Sequence, residues 1–304
     1  MSTTLQRPVR APEPAPRTPP GPRRAPRTMS GELLKALTTW VPLGLLCAVM
    51  IAPLVWMVLS SLKTRGEILH LPVVWLPAEP NLDNYRTACE RVPFFRFFLN
   101  SVVITAAGSA IKVVLAVTTA YALVFVRFPF KRVIFLLVLV ALMVPPHVSL
   151  LPNYALIAGM GGQNTYWGIV LPGLGTAFGT FLLRQHFLSL PVSLLEAAEL
   201  DGAGHGLRLL RIVAPISAPT IATVALVSVV TEWNEYLWPL IIVDKPEMMT
   251  LPVGLMLLQN TEPGSVAWGV VMAGAVVVVA PILVVFALLQ RHLVAGLTQG
   301  AVTG

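Results

Sequence analysis

Fourteen acidic residues and five histidines are the groups from which this chain of 304 residues could assemble an active site or a metal centre. Their spacing argues against both. His70, His186, His205 and His292 have no i, i+4 companions and make no metal site. Cys47 and Cys89 form neither a metal-ligand spacing nor a disulfide framework. Two constellations remain. The first is EAAELDGAGHGLRLLRIVAPISAP (residues 196–219), where three carboxylates, three glycines, a histidine and two arginines stand between long apolar runs. It offers no nucleophile–base pairing. The second is TEWNEYLWPL (residues 231–240), which sets Glu232 and Glu235 one helical turn apart with Asn234, Tyr236 and Trp238 around them. Carboxylate, amide and aromatic face together suit a sugar: hydroxyls take hydrogen bonds and the C–H face of the ring stacks on an aromatic. The same residues also suit the interfacial end of a membrane span, where an aromatic belt is common. No catalytic residue is expected, and the chain contains no G-x-x-x-x-G-K-[ST] loop and no Gly-Lys pair, so it cannot hydrolyse ATP by that route.

The first constellation needs a local scaffold. Pro191 suits the first turn of a helix and Ser189 can cap it. Leu194, Leu195 and Ala198 form an apolar stripe, with Glu196 opposite and Glu199 on its flank. The resulting helix over 191–200 is about 15 Å long. Gly202 is placed to end it in a left-handed conformation, and Asp201 to cap a following helix in which Leu207 and Leu210 share a face and Arg208 points away. The small Ala197 and Ala198 let another surface come close. These residues alone fit a helix docking into a cleft and a helix resting on a membrane surface equally well.

The bulk of the chain sets that scaffold in a bilayer. Hydrophobic residues make up 56% and charged residues 12%, about half the charge of a soluble domain. An all-α, polytopic membrane protein follows, because a spanning segment must satisfy its backbone polar groups internally. Twenty-seven uncharged residues between Lys35 and Lys63 form the first span. A mixed segment containing LPAEPNLDNYRTACERVPFFRFF is too polar to cross. Span two runs from about Phe98 to Val126, interrupted by Lys112. Val133 to Leu183 holds no Asp, Glu, Lys or Arg and is too long for one helix, so a break at residues 152–165 divides it into spans three and four. Pro145, Pro146 and His147 kink span three, and Pro215 and Pro219 bend the entry to span five, which reaches at least Thr231. Span six covers about Val266 to Gln290.

Six spans put both termini on one side. With the N-terminus inside, the inner segments carry 14 Lys and Arg and the outer ones 6, although without the N-terminal tail the score narrows to 7 against 6. The net charge of +7 is concentrated in that tail, residues 1–33, whose Pro/Arg/Ala composition cannot bury a core and reads as disordered. It suits a solvated tail or one touching anionic membrane lipid, and gives no reason to expect a nucleic-acid partner. The first apolar run starts too far downstream and is too long for a cleaved signal peptide, so an uncleaved chain is expected. Lys112, costly at a helix centre, is expected to pair with a carboxylate, Glu232 or Glu235 or one on a partner.

Residues 196–219 resemble the EAA loop of ABC importer permeases, whose pattern is EAA, a glycine four residues on, and a later I-x-x-P. Glu196, Ala197, Ala198, Gly202, Ile212 and Pro215 match it. NSVVITAAGSA, AYALVFVRFPFKR, LPNYALIAGMGGQNTYWGIVLP, FLLRQHFLSLP, EWNEYLWPLIIV, LPVGLMLLQ and LLQRHLVAGLTQGAVTG resemble the carbohydrate-uptake, MalG-like branch of that family, in order, over about Val41 to Gly304. The resemblance implies a MetI-like type I importer permease fold of six helices in residues 34–304. It implies that a coupling loop at about 189–215 docks in a groove of a cytoplasmic ATPase through Glu196, Ala197, Ala198, Asp201 and Gly202, and that Asn234, Glu235 and Trp238 lie by the substrate path. The C-terminal GLTQGAVTG would touch the ATPase or simply fray.

The implied partners are a second, MalF-like permease, two ATP-binding subunits, an extracytoplasmic solute-binding protein and a carbohydrate or related polyol. No cofactor is implied. The implied place is the bacterial inner membrane, with both termini cytoplasmic. Lys112 departs from the branch, where a small or mildly polar residue is usual. The rival class is a self-contained secondary transporter or channel, which would need coupling-ion residues in mid-span; a membrane-embedded enzyme would need the nucleophile and base the chain lacks.

Overall fold

The uncharged runs fold as helices because an apolar solvent leaves the backbone no other partner for its N–H and C=O groups. The structure, a computed structural model, describes residues 29–259 and 267–298, with side chains over 37–259 and 267–288. Most of the proposed tail and the extreme C-terminus lie outside the described residues. The chain divides into two units, residues 1–53 and 54–304. In the first, the described part is the larger share of helix α1 (Met29–Ser61), and its side chains from Leu37 to Pro53 are exposed.

In the second unit α1 ends against α2 (Arg65–Ile68) and α3 (Asp83–Arg91). This is the mixed segment too polar to cross, and its polar groups tie the turns together. Thr64 and Glu67 form a reciprocal cap on α2. The buried Lys63 ammonium donates to the Val74 carbonyl at 2.6 Å and lies 4.1 Å over the Trp56 ring. Helix α4 (Phe94–Phe125) follows, long and apolar enough to cross a bilayer, with Lys112 on it.

The next two spans are broken. Helix α5 (Lys131–Met143) and the stretch to the end of α6 (Leu150–Gly159) meet at 94°. Val144 lies in extended backbone before Pro145 and Pro146, as the residue before a proline prefers. This bend is the kink expected of span three at Pro145, Pro146 and His147. The break expected at 152–165 is shorter than predicted: Pro152 sits in the first turn of α6, where its missing N–H costs nothing, and the chain turns only after Gly159, where Gly161 takes a φ of 75°. Helix α7 (Tyr166–Val170), with the tight turn 171–174, then meets α8 (Ala177–Leu188) at 47°.

Helices α9 (Val192–Leu200) and α10 (His205–Arg208) make up the polar passage. A wide π turn over Leu209–Val213 leads into α11 (Ala214–Ile216), and α12 (Ala218–Asn234) leaves at 84°. The bend falls at Ser217, between Pro215 and Pro219, as the sequence predicts. Helices α13 (Leu237–Ile242), α14 (Leu251–Gln259) and α15 (Trp268–Thr298) complete the chain. Three straight helices and three bent pairs give six candidate spans among the described residues.

Helix α4 forms the centre, packed on α8 and α12. Ala116, Ala120, Tyr121, Leu183, Phe187, Val213 and Val224 share one buried cluster with Leu195 of α9. Gly179 lets the three helices meet: a Cβ there would stand 2.8 Å from Val224 Cγ1 and 3.0 Å from Ala116 Cβ. Gly179→Leu should therefore wedge α8 away from both and cost more than the roughly 1–3 kcal/mol of ordinary overpacking. The expected result is a sharp fall in the thermal midpoint of purified protein, and an unchanged midpoint would show that the contact yields.

Candidate coupling loop and intramembrane polar cleft

Helix α9 begins one residue later than predicted, with Pro191 at its N-cap. Ser189 does not cap it; its hydroxyl donates to the His186 carbonyl at the end of α8 (2.7 Å). Leu195 and Ala198 face the core as expected, at 8% and 7% exposure, whereas Leu194 turns outward. Glu196, Ala197 and Glu199 are exposed. The helix ends in a Schellman motif, with Gly202 N–H donating to Glu199 O at 3.0 Å and Ala203 N–H to Ala198 O at 2.9 Å. Gly202 has the predicted left-handed backbone, φ +77°. Asp201 closes α9 rather than capping α10, whose N-cap is Gly204.

Leu207 and Leu210 share a face and Arg208 points away from it, as predicted, but the leucine face is the outer one. Arg208 folds back to Glu199 at 3.0 Å with only 13% of its side chain exposed, and Leu207 and Leu210 point outward. Exposed Leu200 and Leu210 therefore give the loop an apolar outer surface beside its carboxylates. Its inner side is tied to the span bundle by Leu195 and by the Tyr121 hydroxyl, 3.2 Å from His205 Nδ1.

The second constellation is rearranged more strongly. Helix α12 stops at Asn234, and Glu235 lies beyond it in extended backbone, so the two carboxylates do not share a helix face. Glu232 pairs with Lys112, choosing one of the expected partners. Both side chains are mostly buried, at 14% exposure for Lys112 and 11% for Glu232. A glycine makes room for the carboxylate: a Cβ on Gly108 would lie 2.9 Å from Glu232 Oε2. Glu235 Oε1 accepts the backbone N–H groups of Leu237 and Trp238 at 3.1 and 3.2 Å, which caps α13. The Trp238 ring is 7% exposed and its N–H donates to the carbonyls of Gly168 and Ile169. It braces α13 on α7 and presents no open stacking face. Of the three residues assigned to the substrate path, Asn234 alone is exposed.

Beside the ion pair is a cleft of about 140 Å³ lined by Lys112, Thr176, Ser228 and Thr231, with Phe178 and Val227. That volume accommodates several waters or one hydroxyl-bearing group of a solute. Sequence reading missed Thr176, Ser228 and Thr231. The signal was the i, i+3 spacing of Ser228 and Thr231 on an apolar span one turn before Glu232. Among the described residues no group of His, Cys, Asp and Glu could hold a metal ion.

Residues 112–299 match the family described as binding-protein-dependent transport system inner membrane component. The chain is 34% identical to the sn-glycerol-3-phosphate transport system permease protein UgpE of Brucella suis, over 81% of this chain and 90% of that one. It is 36% identical to the probable ABC transporter permease protein YurM of Bacillus subtilis, over 88% of each, and 31% identical to the arabinooligosaccharides transport system permease protein AraQ of Halalkalibacterium halodurans, over 83% and 91%. Its fold matches a chain of a bacterial ABC transporter involved in the import of the acidic polysaccharide alginate, with a TM-score of 0.76 at 21% identity, covering 88% of this chain and 99% of that one. A loop braced on the α4–α8–α12 core agrees with these likenesses: the chain belongs to the binding-protein-dependent transport system inner membrane component family, the permeases of ABC importers.

Proposed function

We propose that residues 34–304 form one half of a translocation pore for a carbohydrate or related polyol, completed by a second permease of the same family. Two cytoplasmic ATP-binding subunits drive it, and an extracytoplasmic binding protein delivers the solute. Both termini and the α9–α10 loop lie in the cytoplasm. The loop seats in the ATPase through Glu196, Ala197, Asp201 and Gly202, with Ala198 turned inward against the core behind them, and Asn234 borders the path, held in place by the Glu235 cap and the Trp238 brace. The observation that carries this reading is the form of the loop. It is a short helix with exposed small and acidic residues and an apolar tip, fixed by its other side to the α4–α8–α12 core. A free amphipathic helix on a lipid surface would need no such fixing.

Two of the named relatives are named for sn-glycerol-3-phosphate and arabinooligosaccharides, both of which carry hydroxyl groups, and the cleft beside Lys112 offers hydroxyls and an ammonium to such groups. The mid-span charges among the described residues are consumed in a mutual pair, which leaves a self-contained ion-coupled transporter without its coupling groups. Two measurements test the reading. A tagged chain should copurify an ATPase, and Leu200→Cys, 90% exposed in the native chain, should react with an impermeant thiol reagent only from the cytoplasmic side in a background lacking Cys47 and Cys89. Labelling from outside would overturn the orientation and the coupling together. The ligand carried by the cognate binding protein, identified by mass spectrometry, names the solute.

A further inference from the structure

Among the described residues Arg184 is a cation without a counter-charge. It lies one turn before the end of α8, at the same end of the bundle as the α9–α10 loop. Its guanidinium carbon is 3.8 Å from the centre of the Phe135 ring on α5, and Phe135 stacks in turn on Phe181, 6.5 Å between centroids and 11° between planes. That contact holds the guanidinium against the face of the ring. Among the described residues no carboxylate pairs with it, and its Nε is buried without a hydrogen-bond acceptor. A second cation stands close enough to repel it: Lys131, at the first turn of α5. Lys131 is pinned by its bonds to the carbonyls of Val124 and Val126 at 2.9 and 3.1 Å, so it cannot swing away. The neighbouring Arg132 is exposed. Helix α5 itself has no buried residue, and Val133, Ile134, Leu136 and Leu137 next to these cations are exposed apolar side chains.

We propose that the crevice between the first turn of α5 and the last turns of α8 binds the phosphate of an anionic phospholipid in the leaflet on the side of the α9–α10 loop. The fork of Arg184 is the principal ligand, and Lys131 and Arg132 flank it. A planar guanidinium fixed on an aromatic ring is preorganised for a two-pronged grip on phosphate, and its partly desolvated charge makes an anion there worth more than on an open surface. Basic pockets between spanning helices at a leaflet boundary are a recognised class of headgroup site. The apolar flank of α5 points to a lipid over a carboxylate from a partner protein, because it offers the acyl chains a surface continuous with the cations.

The test reconstitutes the transporter, purified through a tag on this chain, in vesicles of phosphatidylcholine alone or mixed with phosphatidylglycerol. It reads thermal stability and, by native mass spectrometry, retained lipid. Wild-type protein should be stabilised by phosphatidylglycerol and retain it. Arg184→Gln should weaken phosphatidylglycerol binding about fivefold, roughly the share of one cation. Lys245→Gln, an exposed cation in the turn after α13, should change nothing. Should Arg184→Gln fail to accumulate, Arg184→Lys keeps the charge without the fork and should show an intermediate preference. A wild-type protein indifferent to phosphatidylglycerol, an Arg184→Gln variant that retains it fully, an Arg184→Lys variant indistinguishable from wild type, or equal stabilisation by inorganic phosphate in phosphatidylcholine vesicles would each overturn the proposal. Loss of the preference in Arg184→Gln at a wild-type thermal midpoint in phosphatidylcholine would establish it.

Discussion

Lys112→Met alone should destabilise the permease by about 3–5 kcal/mol, the usual cost of removing one member of a buried ion pair. The variant leaves the Glu232 carboxyl group without its partner, with 11% of its side chain exposed and no donor side chain on the adjacent Gly108. Membrane levels of the protein and the thermal midpoint of what remains should both fall. The double variant Lys112→Met, Glu232→Leu should recover most of that stability, since apolar replacement of a whole buried pair is often neutral or favourable. This non-additivity distinguishes a pair from two independent contributions. A Lys112→Met protein that accumulates, melts and transports like wild type would show that the pair contributes nothing. Transport by the stable double variant then reports separately on the cleft, because an ammonium has left its wall while the packing is restored.

The second large effect is expected in the loop. Gly202→Pro removes the N–H that donates to Glu199 O and demands a φ near −65° where the native value is +77°. The Schellman turn cannot survive that change. Uptake should be abolished while the protein still reaches the membrane, because the turn lies outside the buried core: a Cβ at Gly202 would meet nothing within 4 Å. Glu196→Lys should give the same separation of transport from assembly by a different route. It reverses an exposed charge on the face proposed to enter the ATPase and leaves the helix intact. Gly202→Ala is the graded control, with strain of about 1–2 kcal/mol and partial uptake. Normal ATP-driven uptake by both Gly202→Pro and Glu196→Lys would remove the loop from the coupling path.

The spans were legible because the bilayer imposes a single strong rule, and runs of apolar residues of the right length obey it. The prolines at 145, 146, 215 and 219 were legible as bends for a similarly local reason: ring geometry acts on the immediate backbone. The left-handed Gly202 belongs with them. What could not be read was decided at a distance. Pro239 bars a regular helix from running through Glu235, but the turn that follows Asn234 is shaped at a distance: the Glu235 carboxylate caps the next helix and Trp238 is held by carbonyls some 70 residues earlier in the chain. The inward turn of Arg208 depends on Glu199 across the Gly202 turn, and a helical wheel of the second helix alone places it outside. Lys112 could be assigned a carboxylate by energy but not by position, since the choice between Glu232 and Glu235 was made by that same helix end.

The elbow at Ser217 has a mechanical corollary. Two rigid limbs set at 84° transmit almost none of a thrust along one as sliding along the other. Displacement of the short arm reaches the long one as a sideways swing about the proline-flanked corner, so the stroke proposed to enter there would tilt α12 and not drive it as a piston.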